Sequence, residues 1–84
     1  MDKKSIVLKI LSELDANDIL LSENDLNIDK QKYYTIVNAL ISQEYILNLK
    51  LVVTGEGDYA YPLNNGACLS IEGQKYLKEL SNED

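Results

Sequence analysis

The 84-residue chain has no histidine, no arginine, no phenylalanine and no tryptophan, and holds one cysteine and one proline. Each absence closes off a class of chemistry. Without histidine, neither a Ser-His-Asp nor a Cys-His nucleophile can be assembled. The usual zinc sites also fail, because they draw several ligands from cysteine and histidine. The lone Cys68 cannot close an internal disulfide, so nothing requires an oxidising compartment. No arginine or histidine lies beside it to lower its pKa, so it reads as a small apolar residue next to Leu69. There is no calcium loop of the Asp-x-Asp-x-Asp-Gly type, and Gly55-Glu56-Gly57 lacks the Lys-Ser/Thr that would follow in a phosphate loop. We therefore expect no enzymatic activity, no metal and no cofactor. No apolar run approaches the roughly 20 residues that span a bilayer. Met1-Asp2-Lys3-Lys4-Ser5 does not open a signal peptide either, so a cytoplasmic location without membrane contact is the expectation.

What is present is ordinary globular composition, 45% hydrophobic and 26% charged. Such a length suits a single domain, with an ordered core over about residues 3–80 and a polar, acidic tail, 81–84, that frays. At this size a chain hides only about 60–65% of its unfolded surface, so one small core is all it can build. Eight lysines stand against fourteen acidic residues, for a net charge of −6. That balance favours solubility and repels phosphate backbones at long range.

Hydrophobic periodicity orders the chain. Val7, Ile10, Leu11 and Leu14 fall at i, i+3, i+4 and i+7, with Ile6 broadening the stripe, which predicts a first helix over Lys3 to Leu14. Asp15-Ala16-Asn17-Asp18 should end it. Ile19-Leu20-Leu21 is too short for a helix and reads as a brief strand able to pair with a later hairpin. Ser22-Glu23-Asn24-Asp25 is a capping box for a short second helix anchored by Leu26 and Ile28. Asp29 is an N-cap for a third helix, with Ile28 and Tyr33 placed as a hydrophobic staple. Tyr33, Ile36, Val37, Leu40 and Ile41 form its buried face, leaving Lys30, Gln31, Tyr34, Thr35, Asn38 and Ser42 on the other. Leu47, Leu49, Leu51 and Val53 then alternate with Asn48, Lys50 and Val52, a strand period. Thr54 to Asp58 is the glycine-bearing tip, and Tyr59, Tyr61 and Leu63 alternate on the return. Asn64-Asn65-Gly66 reads as a second turn before a short extended run, Ala67-Cys68-Leu69. Ser70 caps a closing helix whose inner face carries Gly73, Tyr76, Leu77 and Leu80. Leu8 and Ile71 lie off their helical stripes.

This order of three helices, a β-hairpin and a C-terminal helix is that of an α+β winged helix-turn-helix domain. Three segments strengthen the assignment. Leu40-Ile41-Ser42-Gln43-Glu44-Tyr45-Ile46 is similar to the "leucine, three residues, glycine, Tyr-Ile" step from recognition helix to wing. The Gly-containing tip follows it. Leu69-Ser70-Ile71-Glu72-Gly73-Gln74-Lys75-Tyr76-Leu77 resembles the "Leu-Thr-x-x-Gly-x-x-Tyr-Leu" opening of a closing helix. Together, over roughly residues 3 to 80, they resemble the YjcQ-like family, small winged-helix proteins of Firmicutes and their phages. Glu44 departs from the pattern, where glycine is common. If its backbone is left-handed, a residue with a Cβ costs on the order of 1 kcal/mol there. Gly73 inside a helix also costs about 1 kcal/mol against alanine, and a close backbone approach to helix 1 or to a strand would explain it.

Two functional expectations compete. The resemblance implies a DNA-binding or regulatory module. Gln31 and Asn38 would then read adenine edges, Lys30, Lys32 and Lys50 would meet phosphates, Tyr34 would stack or donate to a phosphate, and Thr35 would complete the face. Against it stand the acidic balance and the lack of arginine, the commonest reader of guanine. Asp29 and Glu44 also offset Lys30 and Lys32. The polar face of an amphipathic helix needs no partner at all. The alternative is a protein-interaction or dimerisation module that does not bind nucleic acid, with Tyr34, Tyr59 and Tyr61 among its exposed side chains.

Overall fold

The computed structural model describes residues 3–53 and 59–82, with residues 59–61 as backbone alone. The elements run α1 (Lys3–Asn17), α2 (Glu23–Leu26), α3 (Lys30–Ser42), β1 (Ile46–Val53), β2 (Tyr59–Leu69) and α4 (Ile71–Ser81). The two strands form an antiparallel sheet. Four helices and one hairpin in this order make an α+β domain with a winged-helix-like arrangement. The expected hairpin tip, Thr54 to Asp58, the last tail residues and the side chains of Tyr59 and Tyr61 lie outside the described residues.

Local chemistry sets the helix ends. Asp18 adopts a left-handed φ of 55°, which stops α1 one turn later than Leu14. Asn17 meanwhile donates from its side chain to Glu13 at 3.1 Å. At α2 the capping box is complete. Ser22 Oγ accepts from the Asp25 N–H at 3.3 Å, and Asp25 Oδ2 accepts from the Ser22 N–H at 3.0 Å. Asp29 caps α3 by accepting from the Lys32 N–H at 2.7 Å.

The core follows the stripes. Ile6, Val7, Ile10, Leu11 and Leu14 of α1 pack with Tyr33, Ile36, Val37 and Leu40 of α3, and with Ile46, Leu49, Leu69 and Leu80. Leu8 is half-buried against this cluster, whereas Ile71 is 72% exposed. Helix α1 lies against α4 and β2, and α3 against β1.

Two expectations about the sheet are corrected. Ile19-Leu20-Leu21 forms no strand. The Tyr33 hydroxyl donates to the Leu21 carbonyl at 2.6 Å, so a side chain of α3 takes up the oxygen that a strand would have offered to a neighbour. Leu20 and Leu21 pack on the core and Ile19 is exposed. Second, Asn64-Asn65-Gly66 is not a turn between separate segments but a distortion within one continuous strand, β2. Leu47 pairs with Cys68, yet Leu49 pairs with Asn64. Across this step Asn48 (φ 62°) and Gly66 (φ 86°) are both left-handed. Asn64 Oδ1 accepts from the N–H groups of Gly66 (3.1 Å) and Ala67 (2.7 Å), which holds the extra residues in place. The distortion also resets the alternation. Strict period two would bury Leu47 with Leu49, but the left-handed Asn48 lets Ile46 and Leu49 both face the core and turns Leu47 outward, 43% exposed.

The junction of α3, β1 and α4 unites two of the segments that carried the family resemblance. Glu44 is left-handed, with φ 61°. Its N–H donates to the Ile41 carbonyl at 2.9 Å and that of Tyr45 to the Leu40 carbonyl at 3.0 Å, a Schellman closure of α3. Glutamate thus stands where the geometry prefers glycine. The Tyr45 carbonyl then accepts from the Ser70 N–H at 3.0 Å. Ser70 Oγ donates to the Glu44 carbonyl and accepts from the Gly73 N–H at 2.9 Å, capping α4. A Cβ on Gly73 would stand 2.1 Å from the Tyr45 oxygen, so the close approach is to the residue that leads into β1. The Tyr45 and Tyr76 rings stack at 4.6 Å, closing the junction.

Candidate nucleic-acid interface

Because one face of α3 is committed to the core, the helix has one outward face to offer. Lys30, Gln31, Thr35, Asn38 and Ser42 are exposed there, as is Lys32 nearby. Thr35 Oγ1 donates to the Gln31 carbonyl at 2.9 Å, one turn back, so its hydroxyl proton is used inside the helix. Lys50 is exposed on the outward face of β1, paired across the ladder with Leu63. Among the described hydrogen bonds and ion pairs, none joins Lys50 to a residue of α3.

Tyr34 does not belong with this set. It is 4% exposed and packs edge-on against Tyr33, with ring centroids 5.3 Å apart and planes at 68°. Lys30 Nζ lies 5.7 Å from the centre of the Tyr34 ring, a cation–π distance. A stacking or phosphate role for Tyr34 is thereby corrected to a core role. The signal was present in the chain: Tyr34, Val37 and Ile41 follow i, i+3 and i+7, a second apolar stripe beside the first. Burial, reinforced chiefly by the Glu23 carboxylate, pushes the Tyr33 hydroxyl up to about 12, and the same two causes raise that of Tyr34. Glu23 thus lies close enough to act on the N-terminal half of α3. With Asp25 and Asp29 it sets negative charge beside Lys30 and Lys32, so the face is mixed in sign.

Two shallow depressions border α3. One, of about 410 Å³, is lined by Leu26, Asn27, Ile28, Asp29 and Lys32 at the α2–α3 turn. The other, of about 360 Å³, lies where Val7, Ile36, Leu40, Tyr45 and Tyr76 meet. Among the described residues, no three or more cysteine, aspartate or glutamate side chains converge as a metal site would. No helix among them is long and apolar enough to cross a membrane.

The chain is similar to the YjcQ protein from Bacillus subtilis, known from a solution NMR structure. The identity is 27% over 92% of this chain and 94% of that one, with a TM-score of 0.67. The likeness of fold therefore runs along nearly the whole chain rather than through a few short segments. No family model and no curated protein matches the sequence.

Proposed function

We propose that this domain is a cytoplasmic DNA-binding or transcription-regulatory module of the YjcQ-like winged-helix group, contacting duplex DNA through the outward face of α3. Gln31, Thr35 and Asn38 face the bases. Lys30 and Lys32 of α3 and Lys50 of β1 meet phosphates. The observation that carries this reading is the sidedness of α3: a helix of 13 residues buries one face and leaves a row of amide and hydroxyl side chains with flanking lysines on the other. In helix-turn-helix folds such a helix enters the major groove. The acidic balance argues for few phosphate contacts. With three lysines engaged, log K falls against log salt with a slope of about −2.7. Fluorescence anisotropy of a labelled random duplex at about 50 and about 200 mM salt measures this directly. Lys30→Glu should weaken binding and flatten the slope. No binding at the lower salt refutes the reading.

A second reading, a protein-interaction module that leaves nucleic acid alone, is favoured by a different observation. Leu47 and Leu63 are 43% and 41% exposed on the outward side of the hairpin, with Val53 at 52%, while acidic α2 flanks α3. Sedimentation velocity over a concentration series separates self-association from a monomer. Leu63→Lys should abolish any dimer if the hairpin forms it.

A further inference from the structure

The spacing of the exposed side chains on α3 carries a target composition, an inference that rests on the DNA reading above. At about 100° per residue, Gln31, Thr35, Asn38 and Ser42 fall within roughly 60° of arc, along the middle of the outward face. All four are exposed. Gln31, Thr35 and Asn38 follow one another at intervals of four and three residues, which places them about 6 and about 4.5 Å apart along the axis. Side chains at this spacing on a helix in the major groove meet successive bases.

The chemistry of the three is one-sided. Glutamine and asparagine amides each present a donor and an acceptor in one plane, the complement of adenine N7 and N6. Thr35 gives its hydroxyl proton to the Gln31 carbonyl at 2.9 Å, which fixes its rotamer and leaves its methyl as the apolar contact suited to the thymine methyl. The usual guanine reader, arginine, is absent from the whole chain. Lysine can also read guanine, but Lys30 lies over the Tyr34 ring at the margin of the strip. We infer that α3 reads a short A·T core of about three successive base pairs in the major groove, with Gln31 and Asn38 each on an adenine and Thr35 on a thymine methyl between them.

The test compares labelled duplexes of equal length, one with an A·T-rich centre and one with a G·C-rich centre, at the same low salt. An A·T preference of about 5- to 150-fold is expected for each good bidentate pair. Asn38→Ala should lower that preference by one pair's share, about 5- to 150-fold, leaving the share of Gln31. Alanine is the better helix former, so α3 survives the exchange, and circular dichroism verifies that. Replacing the central adenines by 7-deazaadenine removes the N7 acceptor without disturbing the base pairs. It should weaken the wild type through both amide contacts and Asn38→Ala through Gln31 alone, and so by less. Equal affinity for both duplexes overturns the A·T assignment while duplex binding stands. A preference that neither the substitution nor 7-deazaadenine lowers also overturns it, since groove shape would then be the reader. Absence of binding to either duplex overturns the DNA reading along with it.

Discussion

Gly73→Ala is the sharpest probe of how the two halves of the domain are joined. In an open helix the exchange would add about 1 kcal/mol of stability, because alanine loses less backbone freedom on folding. Here the new methyl would stand 2.1 Å from the Tyr45 carbonyl oxygen. Reaching a tolerable contact moves the start of α4 or that carbonyl by about 1 Å, an overpacking that costs about 1–3 kcal/mol. The same carbonyl accepts the Ser70 N–H at 3.0 Å, and the Ser70 hydroxyl caps α4 on Gly73. Disturbing those bonds costs a further 0.5–1.5 kcal/mol or so apiece. The unfavourable terms outweigh the propensity gain, and the net loss is about 3 kcal/mol. For a domain of this size that lowers Tm by about 12–24 °C. Urea unfolding followed by circular dichroism should give a lower midpoint at unchanged m, since the surface exposed on unfolding is the same. Gln74→Ala, one residue on and exposed, is the control, with a change within about 0.5 kcal/mol. If Gly73→Ala matches or exceeds the wild type in Tm, the close approach of α4 to Tyr45 is wrong.

Three further outcomes are expected. Glu44→Gly relieves a left-handed residue and removes a negative charge from the carboxyl end of α3. It should raise stability by about 1 kcal/mol, read as a Tm higher by about 4–8 °C. Gly66→Ala has open space for its methyl but a φ of 86°, so it should cost about 1 kcal/mol through strain alone, without changing the core. Tyr33→Phe leaves the Leu21 carbonyl without its hydroxyl donor and should cost about 1–2 kcal/mol. It also tests a pH effect. The Tyr33 hydroxyl is held up at about 12, against 10.0 ordinarily, so the folded state keeps that proton more tightly than the unfolded chain does. Its contribution is complete below pH 10 and is lost as pH rises from 10 to 12. Urea midpoints across that range should fall less steeply in Tyr33→Phe, and identical slopes would count against the burial of that hydroxyl.

Much of this architecture was legible without coordinates because it depends on local rules. The stripe of Val7, Ile10, Leu11 and Leu14, the capping box of Ser22 and Asp25, and the caps Asp29 and Ser70 act within one or two turns of chain. Their pattern therefore specifies them directly. The glycine at position 73 announced a close approach, and the glutamate at 44 announced possible strain, although neither residue named its partner. The exposed set Lys30, Gln31, Thr35 and Asn38 was likewise fixed by helical period once the buried side was known.

Other features depended on what packs against what. Tyr34 sits at the edge of two faces of the helical wheel: the stripe it shares with Val37 and Ile41 allows the inward side, and the neighbours beside α3 decide that its ring takes it. Ile19-Leu20-Leu21 has strand composition, but a strand needs a free edge to pair with, and the Tyr33 hydroxyl claims the Leu21 carbonyl first. The outward turn of Leu47 follows from a left-handed Asn48 opposite the Asn64–Ala67 distortion, a register decision shared between two strands. A pattern along one strand cannot record it. The sequence by itself determined the four helices, their caps at Ser22, Asp29 and Ser70, and the presence of a hairpin. Tertiary structure decided register, the side on which a borderline residue falls, and the contact that makes Gly73 necessary, because each depends on atoms brought together from distant parts of the chain.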